Sequence, residues 1–348
     1  MKILGIETSC DETAAAVVEL LPRTDGGADV RVHANVVSSQ VALHEQYGGV
    51  VPALAAREHA ANIGPVVERA LAEAGHPHID RIAVTRGPGL APALLVGLTF
   101  ARALSWKLEI PVVGVDHMDG HIHSNWLSEH FPAADIRFPA LNLIVSGGHT
   151  DLVLMRDHGS YEIVGETLDD AIGEAFDKVA RLLGLSYPGG PKISALARSG
   201  DPMRYQLPRP MLKSDTFNFS YSGLKTAVLY LIRDITNNAR PLTDQEKADI
   251  AASFQEAAID VVVQKAIRAA THHGIGTLLL SGGVSANALL RERLAAACQA
   301  NGMICILPEL RYTTDNAAMI AVAGYYSSPT PEQPAMDANL RLGQNTTA

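Results

Sequence analysis

The chain has 348 residues, 47% hydrophobic and 19% charged, which is enough for two domains with substantial cores and too apolar for a disordered polypeptide. Its three cysteines, Cys10, Cys298 and Cys305, form no Cys-x-x-Cys pair; they exclude a disulfide framework and a thiolate zinc site, and they suit a reducing compartment. With 28 basic against 37 acidic residues the net charge is −9, which excludes nucleic-acid binding through a diffuse cationic surface.

In chain order, residues 3–7 read as an apolar strand that stops at Glu7, too short for a secretory signal. The polar turn TSCDET (8–13) and a returning strand at 14–20 complete a hairpin-like pair. Residues 53–73 read as helix, with Gly64-Pro65 expected to break or kink it. A strand at 81–85, a Gly-Pro-Gly turn at 87–89 and an Ala/Leu-rich helix to about residue 104 follow. Arg102 interrupts the longest apolar run, so no membrane span is expected and a soluble, cytoplasmic protein is. A strand at 111–115 then runs into Asp116-His117-Met118-Asp119-Gly120-His121.

The second half repeats this order. Residues 140–145 read as strand, Ser146-Gly147-Gly148-His149-Thr150 as turn and 151–155 as the returning strand. Thr243 and Glu246 have capping-box spacing, and Ile250, Phe254 and Val261 keep helical period behind them. A strand at 277–280, the turn Ser281-Gly282-Gly283, a helix at 286–300 and a closing strand at 303–307 lead into Arg311 to Asn316. The plan implies two α/β subdomains, 1–130 (with 315–348 packed back on it) and 139–314, joined near 128–139. The insertion at 186–225 has no counterpart in the first half. It carries the one local basic strip, Arg204, Arg209, Lys213 and Lys225, interleaved with Phe217, Phe219 and Tyr221. That strip reads either as an RNA contact or as a loop folded back on the core.

If the halves are related by a pseudo-twofold axis, the loops after the two closing strands meet, and so do the two hairpin turns. His117 and His121, four apart on one helical face, would then share an ion with Asp315; two imidazoles and a carboxylate suit ferrous iron or zinc. The strand-Gly-Gly turns at Ile144, Val145, Ser146, Gly147 and Gly148 and at 281–283 let backbone N–H groups approach an anion, yet neither fits a P-loop or a dinucleotide fingerprint. Asp177 suits ribose hydroxyls and Gly190 lets the backbone approach the sugar. Asp11 and Glu12 suit a phosphate or hydrated-metal contact, or a base; capping of turn amides is the structural alternative.

Nine strings carry a resemblance: GIETSCDET (5–13), YGGVVPALAAREH (47–59), GPGL (87–90), HMDGH (117–121), LIVSGGHT (143–150), GEAFDKVARLLGLSYPGGP (173–191), FSYSGLK (219–225), GGVSAN (282–287) and TDNAAMIA (314–321). In this order they resemble the universal tRNA threonylcarbamoyl transferase family, TsaD in bacteria. The resemblance implies a duplicated actin/Hsp70/sugar-kinase-like (RNase H-like) α/β fold of two domains with a central interdomain cleft. It implies transfer of a threonylcarbamoyl group from threonylcarbamoyl-AMP to N6 of the adenosine beside the anticodon of tRNA, releasing AMP. By position it implies His117, His121 and Asp315 as ligands of one divalent metal, Fe2+ before Zn2+. It likewise implies Ile144 to Gly148, Asp177, Gly190 and Asn287 as adenylate residues, and a TsaB-like paralogue and a TsaE-like ATPase as partners. Asp116, Asp119 and Ala91-Pro92 depart from the family pattern without removing a ligand. Two other readings stay open: a metalloprotease using the histidine pair, although Met118 stands where its glutamate belongs, and a sugar kinase of the same superfamily.

Overall fold

Each half of the chain builds one five-stranded sheet. The computed structural model describes residues 1–24, 26–128, 136–237, 239–328 and 333–343, grouped in two units. Unit 1 is Met1–Phe138, Met155–Glu162 and Pro308–Ala348; unit 2 is Pro139–Leu154 and Ile163–Leu307. The expected connector at 128–139 lies largely outside the described residues.

In unit 1, β1 (Lys2–Glu7) pairs antiparallel with β2 (Glu12–Pro22), which pairs antiparallel with β3 (Ala28–Ser39). On its other side β1 runs parallel to β4 (Arg81–Gly87), and β4 parallel to β5 (Val112–Asp116). Strand side chains alternate between faces. Leu4 and Ile6 therefore join Ile63 and Val67 of α2 (Pro52–Glu73) and Leu98 of α3 (Ala91–Leu108) in one core. Gly5 and Glu7 face the other way. There α10 (Ala317–Tyr326) covers β1, β2, β4 and α4 (His117–His123). Residues 317–324 of α10 are all buried, so this helix shows no polar stripe. It lies so close to β1 that a Cβ on Gly5 would overlap the Ala317 carbonyl.

Three features of unit 1 differ from what the sequence suggests. Helix α2 runs through Gly64-Pro65 without a break. Pro65 and Ala61 both face solvent, so water can satisfy the carbonyl that proline leaves unpaired. The strand β3, followed by the short helix α1 (Val41–Glu45), was not anticipated. Finally, the hairpin of β7 (Thr150–Asp157) and β8 (Ser160–Gly165) sends its tip into unit 1. There the His158 ring stacks on Tyr326 with centroids 3.4 Å apart, and the Tyr161 hydroxyl donates to Asp119.

In unit 2 the sheet order is β10-β9-β6-β7-β8, with β6 (Ala140–Val145), β9 (Thr277–Ser281) and β10 (Ile304–Ile306) parallel. The long α8 (Asp244–His272) starts from the expected capping box, both halves of which form. It packs with α5 (Ile172–Leu182), α6 (Gly189–Ala197), α7 (Ser222–Thr236) and α9 (Ala288–Ala300). The structure folds much of the basic strip back onto the core, leaving Arg204 and Lys213 exposed. Phe219 and Tyr221 are wholly buried core residues, Arg209 pairs with Asp260 and Lys225 with Asp170. Buried Lys265 staples this loop to α8, donating to Ser214 Oγ, Thr216 O and Asn218 O at 3.1, 3.1 and 2.7 Å.

Candidate metal centre and nucleotide site

His117 and His121 open and close one turn of α4, which starts where Asp116 accepts from the Met118 N–H. Their rings stand nearly perpendicular, 4.7 Å between centroids. Asp315, in the turn before α10, points Oδ1 at both Nε2 atoms, 3.5 Å from His117 and 3.1 Å from His121. One ligand atom from each residue lies within 4.8 Å of the others, all inside unit 1. The structure therefore brings together the three residues that sequence singled out.

The surroundings fit a cation. Glu7 is fully buried and accepts from Ser9 N at 2.5 Å, Thr85 Oγ1 at 2.6 Å and His117 Nδ1 at 3.0 Å. Burial opposes its charge, but His117 prevails and holds it below the usual carboxylate range. An ionised carboxylate only accepts, so His117 Nδ1 carries a proton toward Glu7 and Nε2 is the ring atom left facing Asp315 and the ion site. His121 Nδ1 is buried with no hydrogen-bond partner among the described residues. Burial and then the carboxylates of Asp315 and Asp11 push Glu12 up to about 10, so without a cation the cluster must hold a proton. Burial also works against charging His117, yet Asp315 and Glu7 outweigh it and lift it to about 9.

That last shift predicts a proton exchange. A ligating imidazole must be neutral, so near pH 7.5 ion binding has to expel the His117 proton. Calorimetry in buffers of different ionisation enthalpy should show about one proton released per ion at that pH, falling toward none above about pH 9. A pH-independent release would contradict the arrangement.

Asp11 sits on the turn between β1 and β2 and Glu12 opens β2; backbone and side-chain bonds fix the turn. Leu90 N donates to Ser9 O at 2.8 Å, Gln40 N to Asp11 O at 2.9 Å and His59 Nε2 to Cys10 O at 3.0 Å. Asp11 is buried, while Glu12 also meets Ser39 Oγ at 3.3 Å.

In unit 2, both Gly-Gly turns follow the C-terminal ends of neighbouring parallel strands, the usual place for a ligand crevice in α/β sheets. Ile144 and Val145 are core side chains, so only their backbone is available to a ligand. Ser146 Oγ accepts from Gly148 N and His149 N at 3.3 and 3.1 Å, and Gly147 and Gly148 open onto free space. Gly282, at φ +86°, passes so close to the Val145 carbonyl that a Cβ would collide with it. Asp177 Oδ1 accepts from Gly189 N at 2.7 Å at the start of α6, where Gly190 opens onto free space. Burial raises the Asp177 carboxyl. Asn287 caps α9 through Leu290 N at 3.1 Å.

Residues 31–322 match the model of the TsaD family, tRNA N6-adenosine threonylcarbamoyltransferase. The chain belongs to the TsaD family. The Symbiobacterium thermophilum tRNA N6-adenosine threonylcarbamoyltransferase is 52% identical over 93% of this chain and 91% of its own. That of Bacillus subtilis is 48% identical over 100% and 96%. Among solved structures, T. kodakarensis HypF superposes with TM-score 0.59 at 15% identity over 93% of this chain; the chain spans only 47% of HypF. That likeness shows the actin/Hsp70-like fold.

As a TsaD-family chain, this protein is a transferase, and neither the protease nor the kinase reading is favoured. Met118, where a zincin would carry its glutamate, is a core residue. Sequence reasoning passed over Glu7, Ser194 and Gln255. Glu7 was detectable in principle, as an acid ending an apolar strand immediately before the turn. The other two are ordinary polar residues that only the folded geometry singles out.

Proposed function

We propose that the protein transfers the threonylcarbamoyl group from threonylcarbamoyl-AMP to N6 of adenosine 37 in tRNAs reading codons that begin with A. The observation that carries this is the buried His117–His121–Asp315 group, with Glu7 orienting His117, in a chain of this family. His117, His121 and Asp315 would hold one divalent ion, Fe2+ before Zn2+, which as a Lewis acid supplies polarisation of donor oxygens. Ile144 to Gly148 (through backbone), Asp177, Gly190 and Asn287 would hold the adenylate. N6 attacks the carbamoyl carbon, the bond to phosphate oxygen breaks and AMP leaves. Asp11 or Glu12, both beside the cluster, would take the N6 proton.

Protein partners of the TsaB and TsaE kinds would complete the system in the cytoplasm. Two exposed apolar side chains on α3, Leu95 at 49% and Trp106 at 86%, support a docking partner. Among the described residues no helix is long and apolar enough to cross a membrane. The test is to incubate iron-loaded protein with tRNA and threonylcarbamoyl-AMP, with and without such partners. Threonylcarbamoyladenosine should appear in the digested tRNA by mass spectrometry; its absence with every partner present would refute the proposal.

A further inference from the structure

The Leu290 N–H can only donate, so the Asn287 atom 3.1 Å away is its carbonyl oxygen. Both amide hydrogens of Asn287 are then committed: Nδ2 donates to Ser194 Oγ and to Gln255 Oε1, each at 2.9 Å. Ser194 Oγ itself donates to Gln255 Oε1 at 2.9 Å, closing a ring of three hydrogen bonds. Gln255 comes from α8 and is 8% exposed. Ser194 lies one helical turn from Gly190 on α6, on the same side of that helix.

An amide with both hydrogens engaged offers a ligand nothing but the second lone pair of its oxygen. It can accept from the exocyclic amine of a 6-aminopurine. Against a 6-oxopurine two acceptors would face each other, which costs a desolvated polar group. We propose that Gln255 is a specificity-determining residue acting through Asn287: by occupying its amide hydrogens it fixes Asn287 as an acceptor and makes the nucleotide site select 6-amino over 6-oxo purines. This rests on the reading of Asn287 as an adenylate residue.

The test is calorimetric binding of AMP and IMP to the full chain and to Gln255→Leu, Gln255→Glu and Asn287→Ser. The parent should prefer AMP by about tenfold or more. Gln255→Leu removes one of the two acceptors that hold the amide in this orientation, so Asn287 can turn its NH2 toward a 6-oxo group; IMP should bind more tightly and the preference should fall to about threefold or less. A gain in IMP binding is not the signature of a damaged fold. Gln255→Glu keeps the acceptor and should keep the preference. Asn287→Ser retains a helix cap but withdraws from the base, and should weaken AMP about tenfold. If Asn287→Ser weakens AMP while Gln255→Leu leaves the AMP-to-IMP ratio unchanged, the role of Gln255 is overturned and the adenylate reading stands. If Asn287→Ser leaves AMP binding unchanged, or the parent binds no AMP, the adenylate reading falls and this inference falls with it.

Discussion

His121→Ala is expected to abolish retention of the ion and to lower threonylcarbamoyl transfer by about a thousandfold, ~4 kcal/mol of transition-state stabilisation. The substitution leaves only His117 and Asp315, too few protein ligands for tight binding of iron or zinc. The metal-free fold should tolerate it. Among the described residues His121 Nδ1 has no hydrogen-bond partner to lose, and the ion pair removed is the 3.1 Å contact with Asp315. Metal content by elemental analysis, modified nucleoside by mass spectrometry and the melting curve of the metal-free protein together decide the matter. Full metal occupancy in the variant would place the ion elsewhere.

Glu7 should be nearly as consequential, by two separable routes. Glu7→Ala leaves the His117 Nδ1–H, the Thr85 hydroxyl and the Ser9 N–H facing a void in the core. Unmatched buried donors next to a raised imidazole make a loss of about 3–5 kcal/mol in unfolding free energy the expected result. Glu7→Gln keeps the shape but offers one accepting oxygen to three donors. It should fold, and its affinity for the ion should drop by about 10–100-fold, because the imidazole loses its carboxylate partner. Denaturant titration reads the first effect and a competing chelator the second. Unchanged ion affinity in Glu7→Gln would confine Glu7 to a packing role.

What could be read before folding depended on how local each cause is. The histidine pair follows from a four-residue spacing on one helix, and Asp315 followed from the duplicated plan, so the convergence of these three side chains was legible. The helix through Pro65 was not, because whether a lost hydrogen bond matters depends on which side of α2 faces water. The aromatic residues at 217–221 could lie against RNA or against the core, and the deciding fact is Lys265 on α8 gripping that loop from about fifty positions away. Glu7 and Gln255 were illegible for the same reason. Their partners (Thr85 and His117 for one, Ser194 and Asn287 for the other) are supplied by segments that no short window contains.

The return of residues 308–343 to the first unit has a consequence for biosynthesis. Domains generally close as units while a polypeptide leaves the ribosome. Here the second unit, which ends at Leu307, has all its parts before the first one does. Until α10 emerges, the Gly5 face of β1 has nothing to lie against and Asp315 cannot join the two imidazoles. If the cluster holds an ion as proposed, loading would thus be a late, post-translational event, and a nascent chain stalled short of residue 327 would present a sticky, incomplete first half to the cell's chaperones.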